Sequence, residues 1–69
     1  MTGDELTSIR KRLGLTRYEM GRAFGYEGNQ NTIYTSIKRY EAGDRDIPPW
    51  LARLAWMYDM HGVPQDWLS

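Results

Sequence analysis

The chain contains no cysteine and a single histidine, His61. Without cysteine there can be no disulfide and no thiolate metal site, and one histidine excludes a zinc site built on two. The longest apolar run covers only residues 54–58, which is too short to span a membrane. The N-terminus lacks the apolar stretch of a signal peptide, so we expect a cytoplasmic protein.

A length of 69 residues leaves room for one small domain and no cofactor-binding doubly wound sheet. Apolar residues make up 41% of the chain and charged residues 26%, which indicates a folded chain rather than a disordered one. We therefore expect residues 1–69 to form a single domain.

The net charge is zero, but the charges are distributed unevenly. Residues 1–9 contain two acids and no base, for a charge of −2, and residues 46–69 contain one base and three acids, also −2. Residues 10–45 contain eight bases and four acids, for a charge of +4. This middle segment is a candidate for binding an anionic partner, although an ordinary solvated surface would give the same count.

Apolar residues recur at helical spacing, and no strand-like alternation is present, so the chain is predicted to be all-α. The predicted helices cover about residues 4–13, 17–24, 32–41 and 49–61, with a short turn at 64–68. Thr16 and Glu19 form a capping box that marks the start of the second helix. Asn31 is expected to cap the third. Gly21 weakens the second helix, and the close approach of another helix would explain its presence.

The third helix has two contrasting faces. Its expected buried face contains Ile33, Ile37 and Tyr40. At about 100° per residue, the opposite face contains Asn31, Thr35, Lys38 and Arg39, with no acid among them. Lys38 and Arg39 can donate to guanine O6 and N7, and Thr35 can hydrogen-bond a base edge or contact a thymine methyl.

Three segments of the chain resemble the phage-repressor, or Cro-like, helix-turn-helix family. LGLTRYEMG at 13–21 is similar to the family's LGLSQEELA, and IKRYEAG at 37–43 to its ISRIERG. Residues 47–55 resemble its P-x-L-x-x-L-x-x-LA fourth helix. The resemblance covers residues 6–62 and implies a compact four- to five-helix bundle of the lambda-repressor-like type, with helix 3 in the major groove. One departure is clear, because eleven residues separate Gly25 from Ile37 where the family usually has about five. The extra residues lengthen the turn, the start of helix 3, or both.

The resemblance also implies roles for individual residues. The family's base-reading positions fall on Tyr34, Thr35, Lys38 and Arg39. Helical periodicity independently selects the last three, whereas Tyr34 fits equally well as an aromatic covering the edge of the core. Phosphate contacts fall on Arg17 at the start of helix 2, on Arg45 after helix 3, and on Thr32 if helix 3 begins early. Arg10 and Glu41 occupy positions that form an interhelical ion pair in the family, which would make Arg10 structural.

Helix 4 has more apolar surface than one face can bury. Its core stripe contains Leu51, Leu54, Ala55 and Tyr58. The apolar residues left over are Trp56, Met57 and Met60, with Trp67 and Leu68 just beyond the helix. These five predict a homodimer interface. Alternatively, Trp67 folds back to cover the core of its own chain, or the surface binds a different protein.

The sequence thus predicts a DNA-binding transcriptional regulator, a repressor of the phage or prophage type that occupies a pseudo-palindromic operator in double-stranded DNA. The alternative is an antitoxin-like protein-interaction module that uses the second apolar face of helix 4. We expect no enzyme, because no catalytic set occurs at motif spacing and His61 suits the helix dipole better than catalysis. Cofactors, metals and small-molecule ligands are likewise not expected.

Overall fold

A computed structural model describes residues 1–68 of the chain. Within this range the helices are α1 (Gly3–Leu13), α2 (Arg17–Ala23), α3 (Gln30–Ala42) and α4 (Pro49–His61), followed by a 3-10 turn at Gln65–Trp67. No strand occurs in residues 1–68, so the predicted all-α class is confirmed, with four α-helices. None of these helices combines the length and the hydrophobicity needed to cross a bilayer.

Two helices begin with a capping box. At α2, the Thr16 hydroxyl accepts from the Glu19 amide at 3.1 Å and the Glu19 carboxylate accepts from the Thr16 amide at 2.9 Å. This arrangement confirms the predicted start of the helix. Thr2 and Glu5 make the same reciprocal pair at α1, which therefore begins slightly earlier than expected, at Gly3. Each box satisfies backbone amides that have no partner within the helix.

The start of α3 differs from the prediction. The helix begins at Gln30 rather than near residue 32, and its N-cap is Asn29, whose side-chain oxygen accepts from the Asn31 amide at 2.8 Å. Asn31 is therefore the second residue of the helix, and its predicted role as the cap was wrong. The connection from α2 runs over residues 24–29, longer than the roughly 3–4 residues of an ordinary helix-turn-helix turn. The extra residues thus lengthen both the turn and the helix.

Tyr26 ties this long connection to the rest of the fold. Its hydroxyl lies 2.9 Å from the Tyr40 hydroxyl on α3, and its carbonyl accepts from Nη1 of Arg22 at 2.9 Å. Partial burial and the hydrogen bond to Tyr40 raise the pKa of Tyr26 to about 12. Gly25 and Gly28 have φ values of 94° and 115°, a region that side chains disfavour. The connection is therefore anchored at its middle rather than only at its ends.

The core is formed by apolar side chains from all four helices. Helix α1 packs against both α3 and α4, and α2 packs against α3. Fully burying one such Leu or Ile contributes about 1.5–3 kcal/mol. The buried apolar residues are Leu6, Ile9, Met20, Ala23, Phe24, Ile33, Ile37, Tyr40, Leu51, Ala55 and Tyr58.

Gly21 marks the closest approach of α2 to α3. A Cβ atom at this position would lie 2.2 Å from Cγ2 of Ile33, well inside van der Waals contact. The expectation that a neighbouring helix explains this glycine is confirmed. The backbone of α2 at Gly21 thus packs directly against the Ile33 side chain of α3, and this contact helps to fix the position of α3.

Candidate nucleic-acid interface

Helix α3 presents a polar and cationic face to solvent. Its apolar residues Ile33 and Ile37 are buried, whereas Thr35, Lys38 and Arg39 are exposed, as the helical spacing predicted. Because the core side is held by α1 and α2, the exposed side is the one available to a partner.

The early start of α3 extends this face toward the N-terminus of the helix. Asn31 and Thr32 are exposed within the first turn, and the Ser36 hydroxyl donates to the Thr32 carbonyl at 3.0 Å. Together with residues further along, they line a shallow cleft that we call the Arg39 cleft. Its lining residues are Asn31, Thr32, Thr35, Ser36, Arg39 and Arg45. The cleft combines hydroxyl, amide and guanidinium groups, which are the groups that hydrogen-bond base edges and phosphates.

The cations of this face have no carboxylate partner. Within residues 1–68, Lys38, Arg39 and Arg45 form no ion pair, whereas Arg10 and Arg12 each pair with an acid. Arg45 lies with its guanidinium carbon 5.6 Å from the ring centroid of Tyr40, which holds it beside α3 without neutralising it. The charges of Lys38 and Arg39 on α3 are therefore available to an anion, and so is that of Arg45, although Asp44 and Asp46 flank it in the loop.

Tyr34 lies between two of the predicted DNA-binding cations. The Cζ atom of Arg17, at the start of α2, is 5.5 Å from the Tyr34 ring centroid, and Nζ of Lys38 is 5.9 Å from it. Nη1 of Arg17 also lies 3.5 Å from the Tyr34 hydroxyl, a long hydrogen bond. With 39% of its surface exposed, Tyr34 is not a core residue. We call Arg17, Tyr34 and Lys38 the Tyr34 clamp.

A buried carboxylate lies beneath the clamp. The side chain of Glu41 is 5% exposed, and Nε of Arg10 donates to its Oε2 at 2.7 Å, which is the interhelical ion pair expected from the resemblance. Nε of Arg17 donates to the other oxygen, Oε1, at 3.0 Å. This hydrogen bond is the main cause that raises the pKa of Arg17. Two arginines thus share one carboxylate, and the cluster keeps a net charge of +1.

The bond from Arg17 to Glu41 was not expected from the sequence. From the sequence, Arg17 is predicted to contact phosphate, and Glu41 is predicted to pair with Arg10 alone. No spacing rule connects residues 17 and 41, since the contact exists only because α2 crosses close to the end of α3. A partial signal was available, because the same resemblance placed Glu41 in an interhelical ion pair.

The predicted dimer residues form an exposed apolar surface on α4 and the tail. The exposed fractions are 41% for Trp56, 53% for Met57, 75% for Met60 and 52% for Trp67. Trp67 also contacts its own core, with its ring edge-on to Tyr58 at 6.1 Å. Leu68 is half-buried against the core, which leaves the other four to form the surface. We call Trp56, Met57, Met60 and Trp67 the α4 patch.

The comparisons with known proteins add no relative. No family model, no curated protein and no solved structure matches this chain. The likeness of its three segments to the phage-repressor family thus remains a resemblance, and function has to be inferred from the chain's own residues.

Proposed function

We propose that this protein is a sequence-specific DNA-binding transcriptional regulator, a repressor that places α3 in the major groove of its operator. The observation that carries the proposal is the exposed face of α3. Thr35, Lys38 and Arg39 share it, and neither the lysine nor the arginine has a carboxylate partner among residues 1–68. A free guanidinium and a free ammonium beside hydroxyl groups suit both guanine edges and phosphates.

The net charge of zero does not weaken this proposal, because the charges are segregated. The Glu41 side chain is 5% exposed and is already shared by two arginines, and the exposed Asp44 and Asp46 lie in the loop after α3 rather than on its outer face. The acids of α1 and α4 lie on other helices. The interface therefore remains positive although the chain as a whole is neutral, and its binding should weaken as salt rises.

A homodimer would give the regulator enough base contacts to be selective. One short helix reads only a few base pairs, whereas a two-fold dimer reads two half-sites about 34–36 Å apart, one turn of DNA. The α4 patch supports this part of the proposal, because aromatic and methionine side chains are enriched at interface centres. In a two-fold dimer the same patch would lie on both sides of the interface.

Selection of bound sequences from a random pool of DNA duplexes tests the proposal. We expect enrichment of a pseudo-palindrome, and relaxed preference at one position of each half-site when Arg39 is replaced by Ala. Retention of the wild-type protein on a column of non-specific DNA should fall as the salt concentration rises. If no sequence is enriched and the column does not retain the protein at low salt, the protein is not a DNA-binding regulator.

The second candidate is an antitoxin-like protein-interaction module, which the exposed α4 patch favours. In that case the helical scaffold supports the patch and α3 has no role in binding. Met60→Glu would then abolish binding to the partner protein, while Arg39→Ala would have no effect on it. Arg39→Ala therefore separates the two candidates, because it weakens binding only if α3 reads DNA, whereas Met60→Glu disrupts the dimer in one case and the partner contact in the other.

A further inference from the structure

We infer that Tyr34 is a positioning residue that holds Arg17 and Lys38 against one strand of the DNA backbone, and that Lys38 therefore contacts phosphate rather than a base. This inference rests on the proposed DNA-binding function and assigns different tasks to the two sides of α3. The Tyr34 clamp lies on one side of the helix, and the Arg39 cleft on the other.

Arg17 is held in place by two neighbours and still has donors to spare. A guanidinium has five N–H donors. One of them, at Nε, is bonded to Glu41, and one at Nη1 reaches the Tyr34 hydroxyl. Three donors remain for an anion. Because the group is already ordered, binding a phosphate costs less side-chain entropy than it would for a freely rotating arginine.

Lys38 is directed to the same side of α3. It follows Tyr34 by four residues, which places the two side chains next to each other on the helix surface. The negative face of the tyrosine ring attracts the ammonium group, which lies 5.9 Å from the ring centroid. Lys38 does not line the Arg39 cleft, although it neighbours Arg39 in sequence. The ammonium group of Lys38 therefore lies beside the same ring as Arg17 and outside the Arg39 cleft.

The clamp brings two positive charges to one ring, and only one carboxylate lies beside them. Glu41 is shared with Arg10, so Arg10, Arg17, Lys38 and Glu41 together carry a charge of +2. An arrangement of this kind favours a doubly contacted anion, and the DNA backbone supplies one at every nucleotide. A base edge has no net charge and would leave the two cations unneutralised.

This placement also orients α3 in the groove. A helix in the major groove, about 12 Å wide, faces bases along its centre and a phosphate backbone on either side. With the clamp on one backbone, the base-facing positions become Thr35 and Arg39, with Asn31 one turn earlier. Arg45, which lines the Arg39 cleft and follows α3 in the chain, then faces the opposite backbone. Tyr34 and Lys38 thus move from base reading, as the resemblance implies, to backbone contact.

The two lysines of the chain provide a matched test. Lys38→Ala and Lys11→Ala both remove one exposed ammonium, the first from α3 and the second from α1. Binding of the selected operator and of a scrambled duplex is measured by fluorescence anisotropy between 50 and 200 mM salt. Each phosphate contact changes the slope of log K against log salt by about 0.9, or about 3.5-fold in affinity over this range. Lys38→Ala should lower the slope by that amount and weaken binding to both duplexes alike. Lys11→Ala should leave the slope unchanged.

Two substitutions of Tyr34 test the positioning role. Tyr34→Phe keeps the aromatic face and loses the hydroxyl that lies 3.5 Å from Nη1 of Arg17, so it should bind every sequence slightly more weakly than the wild type but more tightly than Tyr34→Leu, with the base preference unchanged. Tyr34→Leu removes the ring, and we expect about 2- to 5-fold weaker binding to every sequence, the factor corresponding to an exposed cation–π contact. A thermal melt of each variant shows whether the fold is retained, as expected for exposed positions.

The possible failures are distinguishable. If Lys38→Ala or Tyr34→Phe changes the preferred base at one operator position, the residue reads a base and the inference is wrong. An unchanged salt slope in Lys38→Ala would overturn it as well. If the wild-type protein binds neither duplex, the proposed function itself fails, and the inference fails with it.

Discussion

Replacement of Glu41 by alanine should remove much of the stability of this protein. The carboxylate is 5% exposed and accepts hydrogen bonds from Arg10 at 2.7 Å and Arg17 at 3.0 Å. Without it, the guanidinium of Arg10, whose side chain is only 12% exposed, loses its counter-ion and keeps one hydrogen bond, to the carbonyl of Leu15. Breaking a buried pair in this way costs about 3–5 kcal/mol. A chain of 69 residues has a free energy of unfolding of about 3.5–10 kcal/mol, so the loss is a large fraction of the total.

Thermal melts followed by circular dichroism measure this effect. At roughly 4–8 °C for each kcal/mol in a domain of this size, Glu41→Ala should lower the melting temperature by about 12–40 °C. Asp59→Ala is the control, because it breaks another carboxylate–arginine pair that joins two helices. Arg12 donates to Asp59 twice, at 3.0 and 2.9 Å, which is a more even bidentate geometry than the 2.7 and 3.4 Å of Arg10 on Glu41. That pair is exposed to water, however, so its loss should cost far less.

The two variants compare a buried carboxylate that two arginines share with an exposed carboxylate that one arginine contacts. The even bidentate geometry favours the Arg12–Asp59 pair, whereas burial and the additional bond from Arg17 favour Glu41. Equal melting temperatures for the two variants, or a lower one for Asp59→Ala, would refute the reasoning. Glu41→Gln adds a second measurement, since it keeps the shape of the side chain and removes only the charge. It should also melt well below the wild type.

Other predictions concern the packing, the long connection and the two surfaces. Gly21→Ala should lower the free energy of unfolding, measured by urea denaturation, by about 1–3 kcal/mol, because the new methyl group meets Ile33. The double variant with Ile33→Ala should lose less stability than the sum of the two single variants. The raised pKa of Tyr26 means that its protonated hydroxyl stabilises the fold, fully below about pH 10 and progressively less as the pH rises through about 12. Urea unfolding at pH 9 and pH 11 should therefore show a smaller loss of stability at the higher pH in Tyr26→Phe than in the wild type. In sedimentation at tens of micromolar protein, we expect the wild type to show twice the 8.1 kDa mass of one chain, and Met60→Glu to show the mass of a monomer. Arg39→Ala should cost about 1–3 kcal/mol in operator binding and relax preference at one base position, and an unchanged operator affinity would count against α3 as the reading helix.

The sequence predicted the helices and the two faces of α3 well, because both depend on local periodicity. Ile33 and Ile37 are buried and Thr35 is exposed for the same reason that their spacing indicated, namely about 3.6 residues per turn. The capping box of Thr16 is equally local, since its two hydrogen bonds join residues three positions apart. Features of this kind can be predicted without knowledge of the tertiary structure.

The start of α3 and the neighbours of Arg17 could not be predicted in the same way. Asn29 and Asn31 are both good N-caps, and the choice between them depends on where the anchored Tyr26 places the end of the connection. The bond from Arg17 to Glu41 joins residues 24 positions apart and depends on the crossing of two helices. The crossing in turn is set by Gly21, whose missing side chain permits a contact that sequence spacing does not specify.

The positions of the three tryptophans allow their intrinsic fluorescence to report on which surface of the protein is occupied. Trp50 and Trp56 lie on α4 and Trp67 in the final turn, each between 41% and 52% exposed, and none of them is on α3. Their emission should therefore resemble that of partly hydrated indole and be quenched by acrylamide. Covering the α4 patch would shift the emission to the blue and reduce quenching, whereas a duplex bound only through α3 would leave it nearly unchanged. Unlabelled protein can thus reveal which of its two surfaces is occupied.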